Sequence, residues 1–316
     1  DEWEGDLSMD RHRRAFHHWT GFLSISCMAL LLSCSGSGDS GSGAPTSIPP
    51  TASAILYVKA SNPGPGDAFG QSIAASADGN TLAVGARGEA SNATGINGNQ
   101  ADNSAINAGV VYIFTRDSTG NVTQTYVKAS NTEAGDFFGS AVALSSGGNT
   151  LAVGAIGEDS NATGINGNQA DNSTTFAGAV YIFIRNGSIW SQQAYVKASN
   201  TGRGDQFGTA VTLSADGSTL AVGAIFGQIL GDPAREGASY VFTRSGGIWS
   251  QQAYLNASNA EAGDHFGHAV TLSADGNTLA VGAIFEDSTA TGIDGNQADN
   301  LASQSGAAYI FIRGGA

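Results

Sequence analysis

The sequence predicts an all-β fold made of four tandem units, and three observations support this prediction. The segment KASNPGPGDAFG at residues 59–70 recurs with small changes at 128–139 and 197–208, and a fourth copy, NASNAEAGDHFG, lies at 256–267. The copies are separated by 69, 69 and 59 residues, and such regular self-similarity is the mark of a repeat architecture. The 45 glycines and the low charged fraction of 13% suit many short strands joined by tight turns.

Each unit contains four strand-like runs. In the second unit they occupy residues 138–145, 150–155, 178–184 and 192–198, and a turn rich in Asp, Gly and Asn separates the first two runs in most units. Large and small apolar residues alternate along the runs, and neither face is polar, so both faces of each sheet are predicted to be covered. Four-stranded sheets covered on both faces are the packing of β-propeller blades.

The repeat also resembles a known family. The pattern FGxAVxLSxDGNTLAVGA, followed by GAVYIF, resembles the FG-GAP repeat of integrin α-subunit propellers and their bacterial relatives, over about residues 54–313. The resemblance implies a β-propeller of four-stranded antiparallel blades, four of them in this chain, with structural roles for the FG and GA residues. Integrin-type blades often carry a DxDxDG calcium loop in the first hairpin. Here that hairpin holds only turns such as Asp78-Gly79-Asn80, whose single carboxylate cannot supply the six to eight oxygens of calcium.

The two ends of the repeat region predict how the blades close. The run ILYVKAS at 55–61 reads as a fourth strand that precedes the first unit, and the last unit has three strand-like runs before Ile312. We expect residues 55–61 to complete the last blade and to close the ring, because closure removes exposed sheet edges. The alternative is that the four blades form part of a larger ring.

The N-terminal part is predicted to be a targeting region. Basic residues at 11–14 precede an apolar stretch at 22–32, which is shorter than the roughly 20 residues of a membrane span. This stretch ends in Leu-Leu-Ser before Cys34, which resembles the lipobox of bacterial lipoproteins and implies acylation of Cys34.

The predicted organisation follows from that signal. We expect an upstream, non-native segment at 1–8, a lipoprotein signal peptide at 9–33, a Gly/Ser/Pro tether at 34–53 and the propeller at 54–316. The predicted location is the bacterial cell envelope, as an outer-membrane or surface lipoprotein held by its lipid alone.

Composition and motifs argue against several functions. The net charge of −14 and the lack of a basic cluster beyond the N-terminus argue against nucleic-acid binding. No cysteine follows Cys34, and no Ser-His-Asp order, phosphate loop or HExxH motif occurs. His265 and His268 are three residues apart in a strand-like run, so we expect them on opposite faces and without a shared metal. The chain is predicted not to be an enzyme.

Two further sets of charged residues recur in the repeats. Aspartates end the Gly-Asp pairs, where we expect them to bond backbone N–H groups of the turn before the FG strand; they are Asp67, Asp136, Asp205 and Asp264. Lysines recur in the outermost strand-like run, where we expect them to protect a sheet edge; they are Lys59, Lys128 and Lys197.

The long loops between the second and third strands are the candidate binding site. They lie at 89–104, 158–173 and 286–301, and strand direction places them on the same face as the Gly-Asp connections. Their repeated polar residues predict an oxygen-rich surface for a protein or glycan partner, or for calcium; the alternative is a set of ordered polar loops without a ligand. The candidate residues are Asn97, Asn99, Asp102, Asn166, Asn168, Asp171, Asp294, Asn296 and Asp299.

The function predicted from these features is that of a lipid-anchored, extracytoplasmic module for binding, adhesion or scaffolding. Two alternatives stay open from the sequence. One is an enzyme, a hydrolase or a lyase, that works on the loop face of the propeller, and the other is a purely structural envelope protein.

Overall fold

The computed structural model describes residues 57–227 and 235–314. These residues contain fifteen strands. The predicted signal peptide, Cys34 and the tether lie outside these residues. Blade one consists of β1 (Ser72–Ala75), β2 (Thr81–Ala86), β3 (Val110–Arg116) and β4 (Val122–Val127). Blade two consists of β5 (Phe138–Leu144), β6 (Thr150–Ala155), β7 (Ala179–Asn186) and β8 (Ile189–Val196).

The second half of the chain repeats this pattern. Blade three consists of β9 (Phe207–Leu213), β10 (Thr219–Ala224), β11 (Ala238–Ser245) and β12 (Ile248–Leu255). Blade four consists of β13 (Phe266–Leu272), β14 (Thr278–Ala283) and β15 (Ala307–Ile312). Each sheet is antiparallel with its strands in chain order, which confirms the predicted all-β fold of propeller blades. No helix in 57–227 or 235–314 is long and apolar enough to cross a bilayer.

The blades stack face to face in chain order. The first strand of each blade lies beside the first strand of the next, so the first strands form the inner side of the stack. One apolar cluster joins blades one and two, a second joins blades two and three, and a third joins blades three and four. Every residue of β6 and of β10 is buried, which confirms for the two middle blades that both sheet faces are covered.

Glycine sets the close approach between neighbouring blades. A Cβ atom built on Gly85 of the first GA motif would lie 2.2 Å from the carbonyl oxygen of Gly139, the glycine of the next FG motif. Gly154 stands in the same relation to Gly208, at 2.1 Å. The FG and GA glycines therefore have the structural roles that the family resemblance implies.

The prediction that residues 55–61 complete blade four is wrong for the part that the structure describes. Residues 57–61 form no strand, and the only partner strand of β15 among the described residues is β14. Val58 and Ala60 pack instead against the apolar face of blade one. Residues 55 and 56 lie outside the described range.

Candidate binding face

The loops between the second and third strands meet the connections that lead from one blade into the next. The Asn131 side chain donates a hydrogen bond to the carbonyl oxygen of Gln169 at 3.1 Å, and Asn172 donates to the Glu133 carboxylate at 2.6 Å. In blade four, Asn300 donates to Glu261 at 2.5 Å. These contacts confirm that the long loops and the Gly-Asp connections share one face, which we call the loop face.

Two of the predicted site residues hold their loop against the outermost strand. The side-chain oxygen of Asn97 accepts a hydrogen bond from the N–H of Tyr126 at 2.9 Å, and Asn166 accepts one from the N–H of Tyr195 at 2.9 Å. Both asparagines have a positive φ, as does Asp294, and Asn and Asp tolerate this left-handed conformation better than other side chains. The sequence pattern at these positions therefore reflects the loop conformation.

A second set of site residues closes turns inside each loop. Asn99 accepts a hydrogen bond from the N–H two residues later, at 3.1 Å. Asn168 and Asn296 do the same, each at 3.1 Å. This is the Asx-turn arrangement, which lets an exposed loop keep one conformation.

The three loop aspartates are ionised groups that the loop itself already binds. Asp102 accepts hydrogen bonds from the hydroxyl and the N–H of Ser104, which lower the pKa of its carboxyl group. Hydrogen bonds from Ser173 likewise lower the pKa of Asp171, and those from Thr289 lower the pKa of Asp299. Each aspartate belongs to a different blade and accepts its hydrogen bonds from its own loop.

The calcium hypothesis has no carboxylate cluster to support it. Within the described ranges, no group of three or more His, Cys, Asp or Glu side chains is placed to hold a metal ion. Calcium binding would have to use one carboxylate together with the amide and carbonyl oxygens of the same loop. It stays a prediction.

The interpretation of the lysines as edge protection is wrong for Lys128 and Lys197. Both side chains are fully buried and form ion pairs, Lys128 with Glu89 at 3.1 Å and Lys197 with Glu158 at 2.8 Å. Burial lowers the pKa of each lysine, and the paired glutamate partly offsets this effect. Lys59, in contrast, is exposed.

A signal for these ion pairs was present in the sequence. A glutamate follows each GA motif of units one, two and four by three residues, as in GARGE and GAIFE. A lysine inside the apolar run YVKA can be buried only with a partner, and the recurring glutamate is the residue that supplies it. In blade three, Asn256 replaces the lysine and donates to the Tyr254 hydroxyl at 3.1 Å.

The Gly-Asp aspartates have the turn role that the sequence predicted. Each accepts a hydrogen bond from the N–H three residues before it; for Asp136 this is the N–H of Glu133 at 2.8 Å. Burial raises the pKa of Asp136 to about 7 and that of Asp205 to about 6. Among the described carboxyl groups, these two have the largest upward shifts of pKa. Both accept hydrogen bonds within turns.

The two histidines of blade four differ in their surroundings. His265 has a positive φ and precedes β13, and its ring packs between Phe226 and Phe285 with centroid distances of 4.8 and 4.7 Å. His268 is exposed, and burial of part of its ring lowers its pKa. The packing of His265 between two aromatic rings is a sufficient structural role.

Exposed apolar side chains on the loop face were missed by the sequence analysis. Leu301 is 83% exposed and Ile106 is 67% exposed, and Phe176 is also exposed. Aligning the repeats could have found them, because Leu301 stands where the other long loops carry Ser104 and Ser173. The loop face therefore combines fixed polar loops with apolar side chains that contact solvent.

Comparison with known proteins supports the family resemblance. The family model described as FG-GAP repeat matches residues 122–183, 190–242 and 249–311, which together make up more than half of the chain. No curated protein matches the chain.

Solved structures with some similarity include three proteins. Kuenenia stuttgartiensis hydrazine synthase is 18% identical with a TM-score of 0.38, over 73% of this chain and 45% of that one. The β-propeller domain of Myceliophteria thermophila Cps50 (Swd1) is 14% identical with a TM-score of 0.39, over 66% and 49%. Saccharomyces cerevisiae Sqt1 is 11% identical with a TM-score of 0.36, over 70% and 43%. The chain thus spans less than half of each of these structures, and the family match is the comparison that identifies it: the chain belongs to the FG-GAP repeat family.

Proposed function

We propose that this protein is a lipid-anchored, extracytoplasmic binding module that has no catalytic activity of its own and holds a protein or glycan partner on its loop face. The observation that carries the proposal is the combination of fixed loop conformation with exposed apolar side chains. Rigid surface groups lose little conformational entropy on binding, so contacts made by such loops are retained as affinity.

The chemistry of the loop face suits a polar partner with apolar patches. Side-chain amides and ionised carboxylates recur on the loops of blades one, two and four, and Leu301 and Ile106 project beside them. A partner with repeated features would contact several blades at once, and weak repeated contacts add up to useful avidity.

The test uses substitutions that the other repeats already tolerate. Leu301→Ser and Ile106→Thr introduce the residues found at the matching positions of blade two, Ser173 and Thr175. The wild type, the two single variants and the double variant that combines them would be applied to a glycan array and cross-linked to envelope proteins in cells. We expect the double variant to lose at least about tenfold in affinity for the captured partner.

The matched control is a substitution of an exposed apolar residue outside the loop face. Ile248→Ser changes an equally exposed isoleucine at the β11–β12 hairpin, which is not part of the loop face, and should bind like the wild type. Equal binding by the double variant would show that the loop face is not the binding surface. Absence of any glycan or protein partner would favour the purely structural role.

The lipid anchor is tested separately. Cys34→Ala should release the protein from membranes or leave its signal peptide uncleaved, as measured by membrane fractionation and by mass spectrometry of the N-terminus. A variant that fractionates and migrates like the wild type would overturn the anchoring proposal.

A further inference from the structure

Phe176, at the end of the long loop of blade two, has a backbone conformation that its residue type disfavours. Its φ is 56°, and a bulky residue in this left-handed region is an outlier. The same position of the loop carries Asn107 in blade one and Gln304 in blade four, with φ of 60° and 58°. The loop therefore adopts this conformation without a phenylalanine, so the conformation of the loop does not account for the aromatic ring.

The ring of Phe176 packs on no aromatic ring and on no cation within the described residues. Two other phenylalanines on the loop face do have such neighbours, because Arg87 lies over the Phe137 ring at 5.9 Å and Arg235 lies over the Phe226 ring at 6.0 Å. Phe176 is 40% exposed. The chain thus keeps an exposed aromatic ring in an unfavourable backbone conformation, and such outliers cluster at functional sites.

Hydrogen bonds to two other segments fix the place of this ring. The N–H of Phe176 donates to the carboxylate of Asp159 at 2.7 Å, and its carbonyl oxygen accepts from the N–H of Gln206 at 3.0 Å. The carbonyl oxygen of Thr175 accepts from the N–H of Gly204 at 2.9 Å. The ring is therefore attached to the start of its own loop and to the connection that enters blade three. A platform held in this way loses little conformational entropy when a ligand binds.

Three residues next to this platform carry polar side-chain groups that form no hydrogen bond within the described ranges. These groups are the second carboxylate oxygen of Asp159, the amide of Gln206 and the guanidinium of Arg203. Asp159 and Gln206 are half-buried and Arg203 is exposed. The carboxylate accepts hydrogen bonds, the guanidinium donates them and the amide does both. An aromatic surface with a few polar groups of both kinds is typical of a site for a small molecule.

This combination matches the two surfaces of a pyranose sugar. The C–H groups on one side of the sugar ring carry partial positive charge and pack on the negative face of an aromatic ring, while the hydroxyl groups at its edge donate and accept hydrogen bonds. Since a carboxylate and a guanidinium lie beside the same ring, the charges of Asp159 and Arg203 favour a neutral ligand over an anion or a cation.

We infer that Phe176 is the stacking platform of a subsite that binds one neutral sugar unit of a glycan. Asp159, Gln206 and Arg203 bind the hydroxyl groups of that sugar. The inference rests on the proposed function and selects the glycan from the two kinds of partner named there. Blades one and four lack the ring at this position, so each chain has one such subsite, in blade two.

The test begins with the full chain on an array of neutral oligosaccharides built from glucose, galactose, mannose and N-acetylglucosamine. The sugar that binds best is then titrated into the wild type and the variants by calorimetry, and we expect one sugar per chain. Phe176→Asn introduces the residue of blade one, Asn107, and should weaken binding by at least about tenfold. Its melting temperature should equal or exceed that of the wild type, because asparagine tolerates the left-handed conformation. Phe176→Tyr keeps the ring and should bind like the wild type.

The matched control is Ile189→Asn, which changes an exposed isoleucine at the β7–β8 hairpin of the same blade and should bind the sugar like the wild type. A wild type that binds no neutral sugar would overturn the inference, whereas a protein captured on the loop face in that case would leave the proposed function in place. Equal sugar binding by Phe176→Asn and the wild type would also overturn it. So would a clear fall in the melting temperature of Phe176→Asn, since the ring would then serve the fold.

Discussion

The contact between the GA glycine of one blade and the FG glycine of the next offers the sharpest test of how the blades pack. The perturbation is Gly154→Ala, which adds one methyl group near the C-terminal end of β6. The built Cβ lies 2.1 Å from the carbonyl oxygen of Gly208, whereas a relaxed carbon-to-oxygen contact is about 3.3 Å or longer. Blades two and three would have to separate by roughly 1 Å at this point.

The loss of stability caused by Gly154→Ala depends on which of the contacted atoms can move. Overpacking a core costs about 1–3 kcal/mol when side chains can adjust, and here the contacted atom is backbone, which cannot rotate away. A gap of up to 1 Å also removes a quarter to a half of the dispersion energy of the surrounding contacts. Replacing glycine returns only about 0.4–1 kcal/mol by restricting the unfolded chain. We therefore expect a net loss of about 2–4 kcal/mol.

The assay is urea denaturation followed by tryptophan fluorescence, since Trp190 and Trp249 are buried near the blade interfaces. Gly282→Ala is the matched control, because it changes the same position of the same TLAVGA strand and its Cβ meets only Ala269 at 3.7 Å. We expect the control to be neutral or slightly stabilising. Equal effects of the two substitutions would refute the packing argument.

Three further predictions concern charged groups. First, the folded-state pKa of about 7 for Asp136, against an ordinary 3.8, means that the folded chain holds a proton that the unfolded chain releases between these values. Stability should therefore rise as pH falls from 7 to 4, by at most about 4 kcal/mol, and Asp136→Asn should remove most of that rise in pH-dependent urea titrations. Second, Lys128→Met leaves the buried carboxylate of Glu89 without its cation and should cost about 3–5 kcal/mol. Adding Glu89→Gln should recover part of this loss, and an additive double variant would contradict the pairing. Third, calcium at millimolar concentration should raise the melting temperature if the long loops bind it, and alanine at the three loop aspartates should abolish the rise; an unchanged melting temperature would dismiss calcium. These aspartates are Asp102, Asp171 and Asp299.

Much of the fold could be predicted from the sequence because the repeat shows each strand several times. The run predicted at 150–155 is β6 at Thr150–Ala155, and the run predicted at 138–145 is β5 at Phe138–Leu144. Alternation of large and small residues indicated that both faces are covered, since only backbone or another apolar surface can cover a row of alanine and glycine. The turn role of the Gly-Asp aspartates followed from local chemistry alone.

The parts that could not be predicted depend on contacts between distant residues. Lys128 was placed at an exposed edge because its strand is outermost, but the long loop folds over that strand and brings Glu89 to it, 39 residues away. Asn97 was predicted to offer its side-chain oxygen to a ligand, but that oxygen accepts a hydrogen bond from the N–H of Tyr126, and the backbone of Asn97 adopts a positive φ. Residues 57–61 have the sequence of a strand but no sheet in the described chain to join.

The glycine pairs have a geometric consequence for any ring built from these blades. On the inner side of the stack, neighbouring blades touch through backbone atoms, as at Gly154 and Gly208. Farther out, bulky rings such as Tyr181 and Trp190 fill the space between the sheets. Each interface is therefore a wedge, and the thickness of two polypeptide backbones fixes its narrow end. Because the two glycines fix the narrow end, the size of the outer side chains determines the angle between neighbouring blades, and with it how many blades would make a full turn.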